Sequence, residues 1–114
     1  MRDDIARVVD ICLASQDITE FVSGVSEQYY LRDRKLQKAL CMCLEVIGEA
    51  ARTVSQEFKD RHPQIPWAKM TGLRHRIVHE YFRLDLGIIW EIVSREVPPL
   101  LELLRPIVPP EEPP

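Results

Sequence analysis

No stretch of this 114-residue chain is apolar for the ~20 residues that crossing a bilayer requires, so no membrane span is expected. The opening Met1-Arg2-Asp3-Asp4 is too acidic for a secretory signal, which points to the cytoplasm. Cysteine is scarce and odd in number, at three, which excludes a disulfide framework. Cys41 and Cys43 stand two apart, about 200° around a helix, and cannot bridge to each other there. They read as reduced core residues. A basic excess is also missing: the formal charge is −3 and the pI is near 5.6. Proteins that grip long duplexes carry a broad positive field, because neutralising phosphates supplies most of the affinity. Only a local basic patch is available here, suited to a few nucleotides of single strand. No segment alternates as a convincing strand, and no internal repeat is visible.

What is present is an ordinary balance, 46% hydrophobic and 29% charged, enough for one domain with one core. The apolar spacing predicts an all-α fold. Ile5, Val8, Val9, Cys12 and Leu13 mark a first helix from about Asp3 to Val22, with Ile11, Ile18 and Phe21 widening its face. Gly24 suits a helix C-cap, and residues 26–31 suit a short turn of helix. Asp33 then opens a long helix predicted over 34–58, nearly encircled by apolar residues between Ala39 and Ile47. Pro63 stops it, and Pro66 opens a helix predicted to run to Glu80. Asp85 caps a further helix through Val93, which Pro98-Pro99 must kink or restart before a short one over Leu100–Leu104. Trp67, Trp90, Met42 and Met70 sit at core spacing, and His62 marks a helix end. The folded domain is drawn at residues 1–105, and the Pro/Glu-rich residues 106–114 read as a disordered tail.

The chemistry gathers in Arg74-His75-Arg76-Ile77-Val78-His79-Glu80-Tyr81, which holds two of the three histidines. Arginine presents a planar cation that matches phosphate oxygens, and histidine exchanges a proton near neutral pH. A phosphodiester can be cleaved with such groups alone. A solvated helix end with paired charges, such as Arg76 with Glu80, would use the same residues. His75 and His79 share a helix face beside Glu80, but two histidines and one carboxylate make a weak metal set, and no metal or cofactor is expected. Arg74 and His79 are five apart, about 140° around an ideal helix, so either the helix loosens near its end or the working site is composite. A two-fold dimer would bring two such pairs to a single cleft.

Arg74-x4-His79-x-Tyr81 resembles the signature of the HEPN superfamily, and within it the HepT-like toxins. Leu44-Glu45-Val46-Ile47-Gly48-Glu49-Ala50-Ala51 and His62-Pro63-Gln64-Ile65-Pro66-Trp67 extend the likeness in order and spacing, up to about Leu104. The resemblance implies an antiparallel bundle of about five helices with a short extra C-terminal one. It implies a homodimeric, metal-independent endoribonuclease using Arg74 and His79 on single-stranded RNA. It also implies a nucleotidyltransferase-type antitoxin as partner, adding AMP to Tyr81. His75 stands where the family often has asparagine, and with Arg76 is a candidate for substrate binding or support. Glu49 either pairs with Arg52 on a solvated face or orients Arg74 from the neighbouring helix. The alternatives are a non-catalytic nucleotide- or RNA-binding module and a dimeric interaction scaffold.

Overall fold

The fold is set by a few polar groups that decide where helices stop. The computed structural model describes the backbone of residues 2–82 and 85–108, and the side chains of these except residues 2 and 78–82. Helix α1 (Arg2–Val22) ends where Gly24 takes a φ of +73°, a conformation costly for residues with a Cβ. Ser26 caps α2 (Glu27–Tyr30) by accepting the Tyr29 N–H at 3.1 Å. Asp33 caps α3 (Arg34–Thr53) by accepting the Leu36 N–H at 3.0 Å. Among the described residues there is no strand, and the fold is all-α as predicted.

Two helices are shorter than their periodicity suggests. The helix expected over 34–58 breaks at Val54, which turns extended (ψ 138°), and Ser55 caps a separate α4 (Gln56–Arg61). The cause lies 51 residues away. Asp4 accepts both the Ser55 N–H and its hydroxyl at 2.7 Å, while the same hydroxyl accepts the Phe58 N–H at 3.2 Å. The helix expected over 66–80 divides at Gly72 into α5 (Trp67–Thr71) and α6 (Leu73–Phe82). His62 does end a helix, and its carbonyl accepts the Trp67 indole N–H at 2.9 Å.

Asp85 caps α7 (Leu86–Glu91) as expected. The chain then widens into a π-helical turn (Ile92–Glu96) before α8 (Val97–Leu104) restarts with both prolines in its first turn. Neither proline can donate, and the Val97 N–H reaches the Ile92 carbonyl instead. Ile107 and Val108, assigned from sequence to the tail, lie partly buried against the core. Residues 109–114 are outside the described part.

Helix α3 is central, packed on α1 along one side and on α5 and α6 along another. The Asp4–Ser55 tie joins the start of α1 to the end of α3, so the two run antiparallel. The buried line of α1 is rotated from the expected stripe. It passes through Val8, Ile11, Ser15 and Ile18, leaving Leu13 half exposed, because α1 also packs on α8. Ser15 is tolerated there because its hydroxyl donates to the Ile11 carbonyl at 2.8 Å. Trp67 and Met70 are buried as expected, and Trp90 packs on the Tyr30 ring at 4.9 Å. Met42 is not a core residue: it is 61% exposed, on the polar stripe of α3 with Lys38, Glu45 and Glu49. Cys12 and Cys43 are buried, Cys41 partly so, and all are free. Burial and nearby Glu45 push the Cys41 thiol up to about 11, removing it as a nucleophile at neutral pH. No helix among the described residues is long and apolar enough to cross a membrane.

The Asp4 tie makes a testable contribution. The Ser55 backbone N–H, joined by the Ser55 hydroxyl, holds the Asp4 carboxyl below its ordinary 3.8 against the opposing effect of burial. A depressed folded-state value means that the tie contributes fully above pH 3.8 and is lost as pH falls through the folded value. Asp4→Ala should cost about 1–3 kcal/mol at pH 7. Thermal melts followed by circular dichroism should show that deficit shrinking in acid.

Candidate functional site

The motif lies on α6, and its position depends on a missing side chain. A Cβ on Gly48 of α3 would fall 3.0 Å from the Arg74 backbone nitrogen, 3.2 Å from its Cβ and 3.3 Å from the Met70 carbonyl. Glycine therefore lets the start of α6 rest directly on α3. The next residue of α3 is Glu49, and its Oε2 lies 3.5 Å from the Arg74 guanidinium. Glu49 also takes two bonds from Arg52. Both pairings considered from the sequence are thus made at once.

The hydrogen bond from Arg52 does most to hold the Glu49 carboxyl below its usual range. Partial burial opposes it, and the charges of Arg52, Arg74 and Arg7 assist. With Arg74 62% and Glu49 47% exposed, water screens the pair and it adds little to stability. What it supplies is direction. An open groove of about 520 Å³ runs beside it, lined by Arg7 and Asp10 of α1, Glu45, Val46 and Glu49 of α3, and Arg74.

The other expected residues divide. His75 is exposed next to Arg74. Arg76 turns to the π-helical turn, where its guanidinium lies 3.3 Å from Glu96, which also holds Lys69 at 3.2 Å. Burial raises the Glu96 carboxyl, but the bonds from Arg76 and Lys69 outweigh it and leave the group acidic. Arg76 therefore braces α6, while Arg74 lines the groove with Glu49. The backbone of His79, Glu80 and Tyr81 continues α6, and their side chains lie outside the described residues. Among the described residues no group of three His, Cys, Asp or Glu could hold a metal ion. Arg7, Asp10 and Glu96 were missed from the sequence, since only the packing of α1 and of the π-helical turn brings them to α3 and α6.

A family model described as Ribonuclease HepT-like matches residues 11–107. The chain belongs to that family. It is 37% identical to "Probable ribonuclease HepT" of Thermococcus cleftensis, over 80% of this chain and 83% of that protein. It is 36% identical to a Methanocaldococcus jannaschii protein provisionally named an RNase, over 94% of this chain and 88% of the relative. A similarly named protein of Caldanaerobacter subterraneus is 35% identical over 80% and 81%. No solved structure matches the chain.

The close approach in this HepT-like chain is testable by substitution. Gly48→Ala should gain up to about 1 kcal/mol of helix propensity. It should lose more, about 1–3 kcal/mol, because the new methyl meets backbone that cannot swing aside. Gly72→Ala meets only carbonyls at 3.5 and 3.6 Å and should be neutral or slightly stabilising. Urea unfolding of the two variants separates a packing requirement at Gly48 from a general helix effect.

Proposed function

We propose that this HepT-like chain is a metal-independent endoribonuclease, the toxin of a toxin–antitoxin pair, acting on single-stranded RNA in the cytoplasm. The observation that carries the reading is Arg74, positioned by Gly48 and Glu49 at an open groove with its guanidinium largely exposed. The names of the relatives support the same reaction. In the proposed step the RNA 2′-hydroxyl attacks the adjacent phosphorus and gives its proton to a base. The P–O5′ bond breaks, and the departing oxygen takes a proton from an acid. His79 provides proton transfer, and Arg74 stabilises the charge that builds on the non-bridging oxygens. The products are a 2′,3′-cyclic phosphate and a 5′-hydroxyl.

A site using both residues needs two copies, given their angular separation on one helix. The working form is therefore a homodimer with the two motif helices facing one cleft. Arg74→Ala should lower kcat on the order of a hundredfold or more, and His79→Ala should abolish cleavage. EDTA should have no effect. Mixing the two variants under conditions that exchange subunits should restore part of the activity. Failure of the mixture to recover, with exchange shown by sedimentation, would exclude the shared cleft. Cleavage lost to EDTA and restored by zinc would favour a metal set of His75, His79 and Glu80.

Control falls to Tyr81, two residues past His79. AMP placed on its phenol by a nucleotidyltransferase antitoxin would bring a phosphate for Arg74 and a purine for the nucleotide space. That is a competitor tethered at high local concentration. Arg76 is committed to Glu96, which leaves Arg74 as the partner for that phosphate. Tyr81→Phe should remain active and escape silencing by antitoxin and ATP, with mass spectrometry finding AMP on Tyr81 of the parent only.

A further inference from the structure

The net charge of −3 hides a corner where, among the described residues, several cations cluster without ion-pair partners. Elsewhere most of the described arginines sit against carboxylates, as Arg52, Arg74, Arg76 and Arg95 do, while Arg7 and Lys59 stand singly outside that pattern. Arg32, Arg34, Lys35 and Lys38 are all exposed, and among the described residues no carboxylate lies within ion-pair distance of them. Asp33, in their midst, spends its Oδ1 on capping α3. Tyr29 stands beside them, 52% exposed, and with Arg32, Asp33 and Lys35 it lines an open hollow of about 440 Å³. Unpaired cations around an exposed aromatic ring are the chemistry that holds single-stranded nucleic acid: charge follows the backbone and the ring stacks a base.

The corner also lies where a strand leaving the motif would arrive. Helix α6 starts against Gly48, in the second half of α3. By Leu86 the chain has reached the other end of α3, where the Tyr30 hydroxyl donates to the Leu86 carbonyl at 2.9 Å. The motif helix therefore leads from Arg74 toward α2 and the start of α3. On α3 itself, Lys38 and Glu49 are eleven residues apart, about 16 Å along the axis and only about 20° around it. Lys35 and Arg34 fall within about 60° of the same line. Arg34, Lys35 and Lys38 thus share the α3 face that holds Arg74, with Arg32 just before its start.

We propose that Tyr29, Arg32, Arg34, Lys35 and Lys38 form a subsite for the RNA strand flanking the scissile phosphate, gripping its phosphates and stacking one unpaired base on Tyr29. The proposal rests on the ribonuclease reading and adds where the strand runs. A strand reaching from Arg74 to Lys35 spans a few nucleotides, in keeping with a protein too acidic to hold a long duplex.

The test measures fluorescence anisotropy of a labelled 2′-O-methyl oligouridylate, whose blocked 2′-oxygen cannot attack and which therefore binds uncleaved. Arg32→Glu/Lys35→Glu should raise Kd tenfold or more and reduce the salt slope by about one to one and a half, for two lost phosphate contacts at roughly 0.7 each. Tyr29→Ala should weaken binding on the order of tenfold with the salt slope unchanged. Lys59→Glu/Arg61→Glu on α4 alters net charge equally and should bind like the parent. Equal weakening by both double variants would overturn the subsite in favour of a diffuse charge effect. If the parent cleaves RNA and the 32/35 variant binds as tightly as the parent, the strand runs elsewhere and the ribonuclease reading stands. If the parent neither binds nor cleaves RNA, both fall. If the 32/35 variant keeps RNA binding but is no longer modified at Tyr81 by the antitoxin, the corner serves a protein and the proposal is wrong.

Discussion

The contact on which the site depends is the backbone approach of α6 to α3 at Gly48. Any larger residue there would stand 3.0 Å or less from the Arg74 nitrogen and push the motif helix away. The consequence passes along α3 by one residue. Once the backbones touch at 48, the side chain at 49 emerges beside the side chain at 74, and a glutamate there meets an arginine. A packing detail thereby becomes an electrostatic one.

The rest of the framework holds that approach from both ends. Near the start of α6, Glu96 gathers Lys69 of α5 and Arg76 of α6 onto the π-helical turn, which exists because Pro98 and Pro99 cannot continue the donor ladder. Beyond its far end, Tyr30 anchors α7 to α2 and, through Gln37 donating to its carbonyl at 2.9 Å, to α3. Asp4 pins the break after α3 to the first turn of α1. Each tie joins segments far apart in sequence, so none shows as a local pattern. The motif helix is short, and among its described side chains Leu73 and Ile77 are the buried ones, so such bracing helps to hold it.

This explains which features could be read from the chain. Caps at Asp33 and Asp85 and the restart at the prolines are local, and the sequence states them directly. The motif at 74–81 and the small residues near Gly48 were legible for the same reason. The break at Val54 was not, since Leu40, Ile47, Val54 and Phe58 keep helical spacing across it and only Asp4 reveals the stop. The widening of the α1 face through Ile11 and Ile18 was legible, and α3 and α8 are the two neighbours it meets; the exposure of Leu13 was not, because periodicity alone does not place those neighbours. Met42 shares the spacing of core residues but lies on the solvent stripe, where no partner requires it to be polar. The cations at 32–38 form no local motif, and only the ion pairs made by most other arginines set them apart.

The weakness of the Glu49–Arg74 pair is itself suited to the proposed chemistry. A buried pair would cost several kcal/mol to break, and a phosphate could not draw the arginine out. At half exposure water screens the pair, so an incoming phosphate competes for the guanidinium at small cost. Arg52 matters in that exchange. Its bonds to the same carboxylate keep Glu49 charged and satisfied when Arg74 turns to substrate, so no anion is stranded. An isolated glutamate would repel the phosphate it had helped to invite. In the proposed reaction Glu49 would aim the arginine at rest and give it up to a stronger anion, and Arg52 would ease that release.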